Sequence, residues 1–281
     1  MGINSPVYVV GFFSNELPLI KWYYIQLHSL LGNIEIMTST DIKDPQQQNV
    51  SIKVDNQNII EGNLSIPSSS TTINTDIKGI VIFAHGSGSS RYSARNRYVA
   101  QVLNDDGIAT LLIDLLTSKE EKMDSITREH RFNIQLLARR LLSTTDWILQ
   151  SARYKSLKLG YFGASTGAAA ALVAAAERAG KIYAIVSRGG RPDLAGSGVL
   201  NCIDAPTLFI VGGNDKQTIE INETALKQLT KIEKKKKMIV IPGATHLFEE
   251  LGALEEVAKR VSGWFQCFFL EEKQPFRERI R

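Results

Sequence analysis

Ser165 stands between Gly163 and Gly167 in GYFGASTGAA, residues 160–169. Glycines at these positions do not favour a regular element, since each one inside a helix or strand weakens it by roughly 0.5–1 kcal/mol. They suit a chain that turns sharply and leaves no room for Cβ atoms. The flanking sequence has that form: LKLGYFG (157–163) reads as a buried strand, and TGAAAALVAAAERAG (166–180) as a helix ending at Gly180. A serine on such a turn holds its hydroxyl at the end of the strand, beside a helix N-terminus. Its backbone is expected in a sparsely populated conformation, at a cost of about 1–3 kcal/mol.

A serine hydroxyl becomes a nucleophile only when a base takes its proton. The chain offers His28, His85, His130 and His246. His28 lies in the N-terminal segment, and His130 near the start of an expected helix. His246 follows the strand-like KKMIVIPGAT (236–245), and Asp215 follows the strand-like PTLFIVGG (206–213). In an open parallel sheet the loops after the strands meet at one edge. The order Ser165, Asp215, His246 suits a nucleophile, acid and base built on such a sheet. Acyl transfer also needs donors for an oxyanion. The backbone N–H of Thr166 is one, and that of Ser87, in VIFAHGSGSS (81–90), is expected to be the other. His85 is assigned to holding this loop. A phosphate cradle would need the lysine that HGSGSS lacks.

The elements that must position these residues start near residue 50. VSIKV (50–54) and IIEGNLSIP (59–67) alternate as an antiparallel hairpin. Then strands and helices take turns: GIVIFAH, a helix over 94–107, IATLLID, a helix over 127–151, the strand and helix around Ser165, IYAIVS, PTLFIVGG, a helix over 218–232, KKMIVIPG and a helix over 252–268. Near-continuous apolar strands alternating with helices predict an α/β fold, a mostly parallel sheet covered on both faces. The short stretch between Ser187 and Pro206 leaves no room for a large cap, so an open, shallow site is expected.

Composition narrows the functional classes. The 281 residues are 43% hydrophobic and carry a net charge of +4. The run Lys234–Lys237 accounts for that excess and reads as a solvated loop, which argues against nucleic acid. Cys202 and Cys267 form neither a disulfide framework nor a metal-ligand pattern, so no metal or cofactor is expected, and a cytoplasmic location is. Residues 1–48 read as an appendage and polar linker, with Met37 an alternative start. Glu16 and Lys21 interrupt the apolar residues 7–31, so no spanning helix is expected there, and an interfacial helix is the lesser reading. Residues 49–270 form the expected domain and 271–281 a charged tail. The sequence says nothing about oligomeric state.

In combination, FAHGSGSSRYSARNR, LLIDLLT, GYFGASTGAAAAL, VSRGGRPDLAG, LFIVGGND and IPGATH resemble the compact, dienelactone-hydrolase-like branch of the α/β-hydrolases, over about residues 50–268. The resemblance implies Ser165, Asp215 and His246 as nucleophile, acid and base, cleaving an ester, thioester or lactone-like bond of a small molecule. One departure stands out: the name-giving dienelactone hydrolases carry cysteine where this chain has Ser165, so the family name serves here as a fold label. Some relatives are fused to a phosphoribosyltransferase domain, for which this chain shows no motif. An acyltransferase or a non-catalytic binding module on the same fold are the alternatives. Arg188, Arg191 and Arg91 fall on the expected active edge and suit an anionic substrate group, or else pair with Asp193, Asp114 or other carboxylates.

Overall fold

The structure is a computed structural model, and it describes residues 46–67 and 77–270. The readings made for residues 1–45 and for the tail 271–281 lie outside the described residues. An antiparallel hairpin, β1 (Gln46–Lys53) and β2 (Ile59–Ile66), leads into alternating strands and helices. These are β3 (Ile80–Ala84), α1 (Ala94–Asp105), β4 (Ala109–Ile113), α2 (Ser118–Thr127), α3 (Ile134–Gln150), β5 (Leu159–Ala164), α4 (Thr166–Glu177), β6 (Ile182–Arg188), β7 (Thr207–Gly212), α5 (Lys216–Gln228), β8 (Lys236–Ile241) and α6 (Ala253–Leu270). The eight strands form one sheet in the order β1-β2-β4-β3-β5-β6-β7-β8. β1 and β2 pair antiparallel, as do β2 and β4, and every other pair is parallel. This is the expected mostly parallel sheet with an antiparallel start.

Alternation along each strand divides the apolar residues between two cores. Ile80, Ile82 and Ala84 of β3 face a core shared with α3 and α4. Val81 and Phe83 face the other, shared with α1 and α6. Because β3 to β8 run parallel, their carboxyl ends share one edge, and the loops after them converge there. Only single helical turns, Pro192–Ala195 and Ser197–Leu200, lie between β6 and β7, so no cap covers this edge from that side.

Two local expectations need correction. The polar run Gln46–Asn49, read as linker, is the first half of β1. Its partners on β2 decide that: Gln46 to Asn49 pair with Ile66 to Asn63, so backbone hydrogen bonds supply what apolar alternation does not. The single helix read over 127–151 is in fact preceded by a separate one, α2. Arg128, in the left-handed region at φ 60°, ends α2, and the Asn133 side chain accepts from the Leu136 N–H to start α3. The missed signal was a capping box. The Thr117 hydroxyl accepts from the Glu120 N–H while the Glu120 carboxylate accepts from the Thr117 N–H.

Candidate active site

Ser165 occupies the turn between β5 and α4 at φ 50° and ψ −119°, a left-handed conformation that L-residues avoid. Steric exclusion explains its glycines. A Cβ at Gly163 would lie 2.4 Å from the Ala168 Cα, and one at Gly167 would lie 2.3 Å from the Ala84 carbonyl oxygen. Both obstacles are backbone and cannot rotate away. Three long-range or turn-closing bonds hold the strained residue: its N–H donates to the Arg188 carbonyl at 3.1 Å, and its own carbonyl accepts from the N–H groups of Ala168 at 3.1 Å and Arg191 at 3.2 Å.

Asp215 and His246 meet at the same edge. Asp215 caps α5, with Oδ1 accepting from the Thr218 N–H at 3.2 Å. Its other oxygen, Oδ2, lies 2.7 Å from His246 Nδ1. A carboxylate only accepts, so Nδ1 carries the proton and Nε2 is left with its lone pair. Burial acts to raise the Asp215 pKa, but the hydrogen bonds from Thr218 and His246 outweigh it and hold the carboxyl below its ordinary range. Gly189 links this pair to the serine: it follows Arg188, and a Cβ there would come within 3.3 Å of His246 Cε1.

The loop after β3 passes over Ser165, so close that a Cβ at Gly86 would lie 3.1 Å from the Ser165 Cβ. His85 fixes that loop. Its Nε2 accepts from the Leu115 N–H at 3.0 Å, so its proton resides on Nδ1, which donates to the Gly86 carbonyl at 2.9 Å. Burial pushes the His85 pKa down, which keeps the ring neutral and the two roles distinct. The Gly86 carbonyl also accepts from the Ser89 N–H at 3.2 Å. In a planar trans peptide the N–H points opposite to the carbonyl, so the Ser87 N–H is turned away from His85. Thr166, first residue of α4, has no carbonyl one turn earlier to receive its N–H. A cavity of about 320 Å³ opens beside these groups, lined by Gly86, Ser87, Asp114, Asp124, Arg131 and Thr166. A larger one of about 590 Å³ lies at Leu208, Lys237 and Trp264, towards the amino ends of β7 and β8 and away from this chemistry.

The three arginines divide. Arg91 forms an ion pair with Asp114, and Arg191 forms one with Asp193 at 2.6 Å. Arg188, the last residue of β6, pairs with no carboxylate among the described residues. Sequence reasoning passed over two asparagines. Fully buried Asn222 donates to the Gly190 carbonyl at 3.0 Å, beside the segment that grips Ser165. Asn96 accepts from Arg188 Nη2 at 3.3 Å. Asn222 sits in no motif, Asn96 lies in the quoted stretch FAHGSGSSRYSARNR without being singled out, and the partners Gly190 and Arg188 are remote from them in sequence. Among the described residues, no group of acidic, histidine and cysteine side chains could hold a metal ion, and no helix is long and apolar enough to cross a membrane.

The sequence profile of the dienelactone hydrolase family matches residues 61–268. The crystal structure of a dienelactone hydrolase from Anabaena variabilis is 54% identical, covers 80% of this chain and 99% of its own, and superposes with a TM-score of 0.74. Est1E from Butyrivibrio proteoclasticus shares the fold at 17% identity and a TM-score of 0.65, over 79% of this chain and 99% of its own. Proteins from two strains of Mycobacterium tuberculosis, provisionally named phosphoribosyl transferases, are 49% identical over 234 residues, 83% of this chain and 48% of theirs. The chain therefore spans about half the length of the curated relatives it matches.

Proposed function

The chain belongs to the dienelactone hydrolase family, and from that premise we propose that it is a serine hydrolase cleaving an ester, thioester or lactone-like bond of a small molecule. One observation carries the reading: the 2.7 Å contact between Asp215 and His246 sits at the same sheet edge as a serine held at φ 50°. Ser165 Oγ attacks the carbonyl carbon while His246 Nε2 takes the hydroxyl proton. The negative charge gathers on the carbonyl oxygen, where the N–H groups of Ser87 and Thr166 receive it. Asp215 keeps the imidazole oriented and stabilises the imidazolium. The tetrahedral intermediate collapses, and His246 hands its proton to the leaving oxygen or sulfur. Water, deprotonated by the same nitrogen, then releases the acyl group and restores Ser165.

No cofactor enters these steps. The exposed free thiol of Cys202 fits a reducing, cytoplasmic setting. The transferase name of the mycobacterial relatives belongs to proteins about twice as long. The test is fluorophosphonate labelling and turnover of a short activated ester by the full chain. Wild type is expected to label and turn over, and Ser165→Ala to do neither at an unchanged melting temperature. A wild-type protein that never labels would remove the serine mechanism.

A further inference from the structure

The cavity of about 320 Å³ that reaches Ser87 and Thr166 is walled in part by α2, through Glu121, Asp124 and Ser125. Its charges do not balance. Asp114 accepts from the Arg91 N–H at 2.8 Å and forms an ion pair with the Arg91 guanidinium. Asp124 is 3% exposed and fully engaged. It accepts from the backbone N–H groups of His130 at 2.8 Å and Arg131 at 3.0 Å, and from Arg131 Nε at 2.6 Å. Arg131 Nη2 donates to the Asp124 carbonyl at 2.9 Å, so the one arginine lining the cavity is spent on Asp124. Glu121 is left over. It forms no ion pair among the described residues, and its field, with that of Asp114, reaches the buried His85 ring. With His85 neutral, the lining carries one negative charge that nothing offsets.

An exposed carboxylate needs no partner, so Glu121 alone carries little weight. Thr166 supplies a second, independent observation. It lines the same cavity and is 2% exposed, yet its Oγ1 has no hydrogen-bond partner among the described residues. Buried hydroxyls are ordinarily bonded, because an unmet one is destabilising. A carboxylate and an unmet hydroxyl oxygen share one need, a donor. An ammonium group brings three N–H donors and a positive charge, and so suits both. A carboxylate or phosphate would meet repulsion from Glu121 and no free cation. Among the described residues no acidic group is gathered tightly enough to hold a metal ion, which points to an organic cation.

Resting on the hydrolase reading above, we propose that Glu121 and the Thr166 hydroxyl form a subsite for an ammonium group carried by the substrate. The enzyme would then select amino esters over neutral ones. The experiment uses pairs that differ only in a terminal ammonium against a methyl group. On the acyl side these are p-nitrophenyl ε-aminocaproate and p-nitrophenyl heptanoate; on the alcohol side, ω-aminopentyl acetate and hexyl acetate. In the pair that enters the cavity, the amino-to-neutral ratio of kcat/KM should fall about three- to tenfold in Glu121→Gln, through KM, and further in Glu121→Lys. The wild-type ratio should itself drop as salt is raised, since Glu121 is exposed. Thr166→Val keeps the backbone N–H and the shape and loses only the hydroxyl. Its ratio should also fall, while it melts at or above the wild-type temperature. An unchanged ratio in both pairs, or equal losses on amino and neutral esters, overturns the subsite. A ratio that moves with Glu121 and not with Thr166→Val overturns the site as assigned and reduces it to attraction by Glu121 at a distance. Equal Glu121 dependence of the matching hydroxy esters also overturns it, since the pocket would then read hydroxyls and not charge.

The n-butylammonium ion provides an arm independent of turnover. It should raise the melting temperature of wild type and not of Glu121→Gln. If it stabilises through Glu121 while neither ester ratio moves, the site holds a free cation and the substrate proposal fails. If no ester turns over and Ser165 never labels, the hydrolase reading is what has failed. In that case butylammonium stabilisation that needs Glu121 still supports a cation site, and its absence overturns one.

Discussion

Asp215 performs two tasks with two oxygens, and substitution can separate them. Oδ1 caps α5 through the Thr218 N–H, and Oδ2 faces His246 Nδ1. Asp215→Asn keeps a carbonyl oxygen for the cap. Its amide nitrogen, however, meets Nδ1 as donor against donor. The imidazole must then move its proton to Nε2, and the proposed base is lost. The expected fall in kcat is on the order of 10⁴, the scale of an equivalent change in a serine triad, at nearly wild-type stability. Asp215→Ala loses both tasks. It should show a similar kinetic defect and in addition lose about 1 kcal/mol for the missing cap, roughly 2–4 °C in Tm for a domain of this size. The assay is ester turnover alongside thermal melts of the three proteins. Acid sharpens it. The Asp215 pKa is lowered in the folded state, so its stabilising contribution is complete above the unfolded value and lost as pH falls through the folded one. Any stability advantage of wild type over Asp215→Asn should therefore shrink below about pH 4. Activity of Asp215→Asn within tenfold of wild type, or equal melting of the Asn and Ala proteins, would refute the division of labour.

Gly167→Ala drives a Cβ into the Ala84 and His85 carbonyl oxygens, at 2.3 and 2.4 Å, and should cost about 1–3 kcal/mol. Since α4 must also shift away from the Gly86–Ser87 loop, kcat is expected to fall by as much as the 10²–10³-fold order seen on loss of an oxyanion donor. Melting and single-substrate kinetics read both. Asn222→Leu removes the donor to the Gly190 carbonyl and loosens the segment whose Arg191 N–H grips Ser165. About 1–3 kcal/mol of stability should go with the unpaired carbonyl, while kcat falls more than KM changes, a split that general unfolding would not produce.

Much of the site is written in local signals. The glycines around Ser165 are legible because crowding at a strand-to-helix turn is settled within five residues. The chain order of Ser165, Asp215 and His246 is legible because apolar strands mark themselves by composition, and parallel strands send their following loops to one edge. Even the overlooked α2 announced itself locally, in Thr117 and Glu120. The polar start of β1 did not, since only the partner strand β2 makes Gln46–Asn49 a strand. Charge pairing was legible only in part. Arg191 has Asp193 two residues on, and Asp193 and Asp114 could be named as candidate partners, but only the fold gives Asp114 to Arg91, 23 residues away, and leaves Arg188 buried beside Asn96, 92 residues away. Hydrogen-bond and ion-pair partners are chosen by which loops the sheet order brings together. That order is a property of the assembled chain, decided by long-range packing that no window of residues contains.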